Sequence, residues 1–181
     1  LEYRGYDSAG IAVMDNDGAP AVRKSKGKLV ALKAALEDSV PEGTHGVGHT
    51  RWATHGGPSD VNSHPHIDCN NQIVVVHNGI VENFLELREE LEAAGHVFAS
   101  QTDSECIPHL IESYIQEGYD LIGATREMAG RIRGAHAIVL TSQHEPGKLV
   151  ALRLGNAGGI VVGYGQDEML LASDLPALLP H

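Results

Sequence analysis

The apolar residues change period twice along the chain, and this constrains the order of its layers more tightly than any single motif. "AGIAVMD" (9–15) and "PAVRKSKG" (20–27) are short β-like runs around the turn-rich "NDGA". "KLVALKAALEDSV" then brings Leu29, Leu32, Leu36 and Val40 to helical spacing. "HGVGHTRWAT" and "QIVVVHNGI" return to strand character on either side of the polar loop "SHPHIDCNN". From Val81 the helical period takes over. "ENFLELREELEAAG" puts Phe84, Leu87 and Leu91 on one face and closes on Gly95 as a C-cap. "TDSECIPHLIESYIQEG" opens with Thr102 and Asp103 as cap candidates, and "LIGATREMAGRIRG" continues as a third helix. After Gly134 the strand pattern resumes in "AHAIVLTS", "KLVALRLG", "GIVVGYG" and "EMLLASD", separated by Gly-rich turns. Strands flanking a helical block predict layered sheets with helices outside, not a βαβ array, in one α+β domain.

Composition removes several classes of function. A net charge of -11 argues against a nucleic-acid binder, which needs a basic surface to meet phosphates. No apolar run approaches the length that crosses a bilayer, and no basic segment followed by an apolar stretch opens the chain as a secretory signal does. Two cysteines, Cys69 and Cys106, are too few for a disulfide framework and point to a reducing, cytoplasmic compartment. The 181 residues suffice for one domain with a real core. The opening "LEYRGYDSAG", without Met, and the closing "ASDLPALLPH" both read as cut ends, so a piece of a longer protein is expected.

Three clusters carry chemistry. In "GVGHTRWATHG" (46–56), Arg51 follows a strand on a Gly-flanked loop, where its planar fork suits a carboxylate. Trp52 beside it can act as an apolar lid, or can simply fill the core while Arg51 pairs with a surface acid. In "VVVHNGIVEN" (74–83), a side-chain amide at Asn78 and a backbone N–H at Gly79 meet at a strand end, as an oxyanion hole requires; a plain Asn-Gly turn is the alternative. In "SQTDSE" (100–105), Asp103 either caps a helix or faces a pocket and receives an ammonium group. An arginine for a carboxylate and an aspartate for an ammonium together describe a site for a free α-amino acid.

The eleven histidines do not fall into a metal pattern: "HPH" (64–66) lacks helical ligand spacing, and neither H-E-x-x-H nor CxxC occurs. Neither Cys69 nor Cys106 has an obvious activating neighbour in sequence, so each reads as structural rather than nucleophilic. The chain offers anchors and an oxyanion hole, but no attacking group.

With "YRGYDSAG" (3–10), "HTRWATHG" (49–56), "SHPH" (63–66), "VVVHNGI" (74–80) and "TDSE" (102–105) in this order, the sequence resembles the class II glutamine amidotransferases. Within them it is similar to the glutaminase domain of the glutamine–fructose-6-phosphate aminotransferases, the hexosamine branch. The amidophosphoribosyl and asparagine-synthesising branches share the Arg loop and the Asn-Gly pair. The resemblance implies an N-terminal-nucleophile hydrolase-type four-layer αββα sandwich, here incomplete at both ends. It implies that residues 1–181 are a glutaminase domain without its N-terminal nucleophile strand and without a C-terminal sugar isomerase domain.

By the same resemblance Arg51 holds the α-carboxylate of glutamine, Asp103 its α-amino group, and Asn78 with Gly79 the oxyanion. Trp52, Thr54 and His55 belong to a loop closing over glutamine, and Arg4 lies near the nucleophile. That nucleophile is a terminal cysteine whose own α-amino group is the base, and position one here is Leu1. The intact enzyme would hydrolyse glutamine and pass ammonia to fructose 6-phosphate, giving glucosamine 6-phosphate, and would be a homo-oligomer. No cofactor or metal is expected, the partners being glutamine and the sugar phosphate rather than nucleic acid or membrane. The fragment alone is expected to be inactive, and a nucleophile-less glutamine-binding module is the alternative.

Overall fold

Residues 5–37 and 39–179 are described in a computed structural model. Strand β1 (Ser8–Met14) lies between β2 (Pro20–Lys26) and β3 (His45–Arg51), both antiparallel to it, in a three-stranded sheet. The register pairs Ser8 with Arg51, so β3 ends beside the start of β1. Gly10 lets a second chain segment pass close to β1: a Cβ there would sit 2.1 Å from the His64 carbonyl oxygen. The second sheet is also antiparallel, in the order β4 (His66–Ile67), β5 (Ile73–Gly79), β6 (His136–Ser142), β7 (Leu149–Leu154). A separate hairpin, β8 (Val161–Tyr164) and β9 (Met169–Ala172), follows.

The run "IVVV" in β5 is continuous because both faces of the strand are covered. Ile73 and Val75 point to one side, where they join a core with α2 (Phe84–Ala93), α3 (Cys106–Gln116) and α4 (Leu121–Arg131). Leu87 and Leu91 of α2, Ile107, Leu110 and Ile111 of α3, and Met128 of α4 supply most of it. Val74 points the other way, into a smaller core with Ala12 and Met14 between the sheets. On the far side of the first sheet, α1 (Leu29–Leu36) packs on β1 and β2 through the buried Leu32. The layers are therefore helix, sheet, sheet, helices: the αββα sandwich expected from the sequence.

The helix ends follow local chemistry. Asp120 caps α4, its Oδ1 accepting the Gly123 N–H at 2.7 Å, and Gly95 closes α2 with φ +99°. Three local expectations are corrected. α1 stops at Leu36, leaving Val40 outside it and exposed, since nothing packs over that position. The loop "SHPHIDCNN" contains β4, which exists only because it pairs with β5. Thr102 and Asp103 precede α3 in a 3₁₀ turn without capping it by a side chain. Among the described residues, no helix is long and apolar enough to cross a membrane.

Candidate active site

A cleft of about 300 Å³ opens between the sheets where β3 and β5 end. Its wall carries Arg51, Trp52, Thr54, Asn78, Gly79 and Asp103, which the topology gathers from three separate segments. His55 stands beside it, its Nδ1 3.6 Å from Asp103 Oδ1 and its ring edge-on to Phe84. Arg4 lies outside the described residues.

Arg51 is buried, with 4% exposure, and its neighbours are carbonyls rather than a surface acid. Its Nη2 donates to the His55 carbonyl and, at 3.0 Å, to the Gly56 carbonyl, so residues 52–56 wrap around the guanidinium. Asp7 fastens the same loop by accepting the Ala53 N–H. Nη1 is buried with no hydrogen-bond partner. A guanidinium always keeps its donors, so a buried unpaired one on a cleft wall is a place for an acceptor such as a carboxylate. Burial lowers the Arg51 pKa, opposed by the charges of Asp7 and Asp103, and the group stays cationic. Trp52 does not fill the core: it is 64% exposed and meets Tyr6 edge-to-face at 5.5 Å.

Asp103 is 3% exposed and is held by a buried contact, its Oδ2 accepting the Val81 N–H at 2.7 Å. The same carboxylate, kept by that bond on the cleft wall, can receive an ammonium. Asn78 and Gly79 are not a turn but the last two residues of β5, paired with Ala137 and His136. The Asn78 Oδ1 accepts from His49 Nε2 at 3.0 Å across the two sheets, which turns the amide's two N–H bonds away from His49. Gly79 has φ +139°, and a Cβ there would lie 2.3 Å from the Ala135 carbonyl oxygen. Only glycine fits.

Histidines form the floor of the cleft, and this sequence reasoning missed because they are distant in the chain. His64 is buried, its ring tilted against His49 at 4.3 Å and edge-on to His66 at 4.6 Å. Burial first, and then the neighbouring imidazoles and Arg51, hold His64 well below the usual imidazole range, so it is neutral. His77 bridges Ser104 Oγ at 2.8 Å and His136 Nδ1 at 3.0 Å, and burial with His136 brings its pKa down to about 3. The period-2 pattern of β5 was the available signal for His77: it sits on the same side as Ile73 and Val75. A second chain of bonds braces the Asp103 turn. His66 Nε2 meets Thr102 Oγ1 at 3.1 Å, Thr102 meets Ser100 Oγ at 2.9 Å, and Ser100 donates to Glu105.

Neither cysteine lines the cleft. Cys106 is fully buried in the helical core, where burial pushes its thiol up to about 12. Cys69 is exposed on the β4–β5 turn, and burial of its sulfur raises its pKa too. Its expected lack of neighbours is corrected: Sγ lies 3.6 Å from His96 Nδ1 and 3.5 Å from His109 Nδ1.

The sequence profile of a family described as a glutamine amidotransferase domain matches residues 49–180. Over the whole chain, the sequence is 51% identical to a glutamine–fructose-6-phosphate aminotransferase [isomerizing] of Methanothermobacter thermautotrophicus, of which it covers 30%. It is 54% identical to the enzyme of that name from Symbiobacterium thermophilum, covering 29% of it. The chain thus spans about 30% of the length of these curated relatives. Among solved structures, glutamine phosphoribosylpyrophosphate amidotransferase from B. subtilis, complexed with ADP and GMP, is similar with a TM-score of 0.82. The identity is 25%, over 98% of this chain and 38% of that one. An allosteric regulatory enzyme of purine biosynthesis is similar with a TM-score of 0.83 at 26% identity, over the same shares of the two chains.

Proposed function

From the premise that this chain belongs to the glutamine amidotransferase domain family, with the N-terminal-nucleophile hydrolase fold, we propose that it is the glutamine-hydrolysing part of a glutamine–fructose-6-phosphate aminotransferase. The observation that carries the reading is the pair of opposite charges on one small cleft: buried Arg51 with an unpaired Nη1, and buried Asp103. Together they match the carboxylate and ammonium of a free amino acid, and Asn78–Gly79 lies on the same wall for the side-chain amide.

In this reading Trp52, Thr54 and His55 form the loop that closes over glutamine and excludes water. The nucleophile is a cysteine supplied from outside these 181 residues, since neither Cys69 nor Cys106 lines the cleft. Its thiolate attacks the amide carbon of glutamine, and the oxyanion is met by the Asn78 amide and the Gly79 N–H. The C–N bond breaks as nitrogen takes a proton, ammonia leaves, and water then hydrolyses the thioester to glutamate. Ammonia passes to fructose 6-phosphate bound on another part of the full protein, which we place in the cytoplasm as a homo-oligomer. Identities of 51% and 54% to the fructose-6-phosphate enzymes, against 25% to the phosphoribosylpyrophosphate amidotransferase and 26% to the purine-biosynthesis enzyme, support the hexosamine branch.

Titration calorimetry of the full-length protein with glutamine, glutamate and D-glutamine tests this. L-Glutamine should bind with one site per chain and be hydrolysed, and D-glutamine should not bind. Binding without ammonia release would leave a glutamine sensor instead of an enzyme; no binding would end the reading.

A further inference from the structure

We propose that Cys69, His96, His109 and Glu112 form a structural zinc site, closed by four protein ligands and separate from the glutamine cleft. One ligand atom of each residue lies within 4.8 Å of every other. They come from three places: the β4–β5 turn, the segment after α2, and one face of α3, where His109 and Glu112 stand three residues apart. None of the four lines the cleft.

Three of the six spacings already match a tetrahedron around a small cation. Zinc bonds of about 2.0–2.1 Å to nitrogen and about 2.3 Å to sulfur put neighbouring ligand atoms about 3.3–3.6 Å apart. The Cys69 Sγ stands 3.6 Å from His96 Nδ1 and 3.5 Å from His109 Nδ1, and the Glu112 Oε2 stands 3.5 Å from His109 Nδ1. The 2.9 Å between His96 Nδ1 and Glu112 Oε2 would have to open by roughly half an ångström, and the two remaining pairs, within 4.8 Å, would close on the ion as far as they exceed the tetrahedral spacing. A soft thiolate and two borderline imidazoles beside a single hard carboxylate make a donor set that suits zinc better than magnesium or calcium.

The surrounding contacts aim the lone pairs inward. Ser113 Oγ donates to the His109 carbonyl at 3.1 Å, so towards His96 Nε2, 2.9 Å away, it can only accept. His96 therefore carries a proton on Nε2, and Nδ1 of the neutral ring is a ligand atom. His109 turns its buried, unpaired Nε2 toward the Glu105 carboxylate at 3.7 Å, beyond hydrogen-bond length; a shift of roughly half an ångström would complete the carboxylate–histidine arrangement that commonly backs a metal ligand. Glu112 is fixed through its other oxygen, which accepts from Asn70 Nδ2 at 2.6 Å. The Val97 N–H points at Cys69 Sγ at 3.3 Å, as a donor to a thiolate does. Exposed Cys69 gives the ion an entry path. Through Glu105, whose carboxylate holds the N–H groups of Ala99 and Ser100 at 2.7 Å, the site would brace the turn that carries Asp103.

The metal-free competitor is a protonated His96 paired with Glu112. Full-length protein, stripped with chelator, is titrated with Co²⁺ and then Zn²⁺, alongside Cys69→Ser and His96→Gln, two substitutions on surface segments that spare the buried His109. Wild type should take up one Co²⁺ per chain with the intense visible bands of tetrahedral cobalt and a thiolate charge-transfer band. Zn²⁺ should displace it and protect Cys69 from alkylation. Cys69→Ser should lose the charge-transfer band, and His96→Gln should bind at least about 10-fold more weakly. Weak octahedral spectra, equal uptake by both variants, or alkylation of Cys69 unchanged by Zn²⁺ would each overturn the site. Glutamine binding plays no part in these readouts, so the zinc site and the glutaminase reading stand or fall separately.

Discussion

Arg51 does two things with one guanidinium: Nη2 folds the loop 52–56 by holding the His55 and Gly56 carbonyls, while Nη1 is buried and unpaired. A lysine has neither the reach in two directions nor the planar fork. Arg51→Lys should weaken glutamine binding by about 10- to 100-fold, the scale of a lost charge-assisted bond, as calorimetry would read. Asp103 separates structure from charge in a different way. Asp103→Asn keeps an acceptor for the Val81 N–H, so thermal stability should stay near wild type while glutamine affinity falls at least about tenfold. Asp103→Ala strands that buried N–H and should also cost about 1–3 kcal/mol, measured by denaturant unfolding. Equal effects of Asn and Ala on stability would remove the Val81 bond from the account. The residue types of this pair were readable in the sequence, because a guanidinium on a Gly-flanked loop and a carboxylate at a helix start suggest a zwitterion. Which of their atoms lie unpaired was not, because that depends on the carbonyls folded around them.

At the scale of elements, the end of β5 sets which way each of its side chains on the cleft points. His77, Asn78 and Gly79 are successive residues, so alternation sends His77 towards His136 and Ser104 while the Asn78 amide reaches His49 of the other sheet. On the proposed function, Asn78→Ala in the full-length protein should lower kcat for glutamine hydrolysis about 10²- to 10³-fold, with KM changed far less, in steady-state assays. A loss confined to KM would place Asn78 in ground-state binding instead. Gly79→Ala meets two obstacles together, a φ of +139° and the Ala135 carbonyl 2.3 Å from the new Cβ. It should destabilise the β5–β6 pair by about 2–4 kcal/mol in denaturant unfolding, where a surface Gly→Ala would be near neutral.

Across the whole molecule, the interior contains an unusual share of titratable groups held in one state. His77 is neutral down to about pH 3, against an ordinary value of 6.5, because burial and His136 oppose its charging. Its contribution to stability is complete above pH 6.5 and is lost as pH falls from there towards 3, since the unfolded chain binds the proton first. Glu105 acts in the same direction lower down. Burial alone would raise its pKa, but His109, the Ser100 hydroxyl and the N–H groups of Ala99 and Ser100 outweigh it and bring it from 4.5 to about 2. The thermal midpoint should therefore be level between about pH 6.5 and 8, below the range in which partly buried Lys24 titrates, and fall steadily between about pH 6.5 and 3. A protein with His77→Asn should show a shallower fall in the upper part of that window; an unchanged profile would show that His77 is not the group that titrates.

The layers were legible in the chain's own periodicity. Period-2 runs around a 3.6-period block can bury their apolar faces only as sheets between helices, and the order of the motifs carried the family with them. Local periodicity cannot decide how distant segments meet. β4 is two residues long and has no pattern of its own, so pairing with β5 alone creates it. Trp52 has the composition of a core residue and lies in solvent beside Tyr6, because the loop turns around Arg51 and not around the indole. Cys69 and Glu112 are 43 positions apart, and no spacing rule links them; packing α3 against the β4–β5 turn brings sulfur, two imidazoles and a carboxylate together. Burial, orientation and long-range proximity arise from closure of the sandwich, and these decide which of the readable residues face a ligand and which hold the chain.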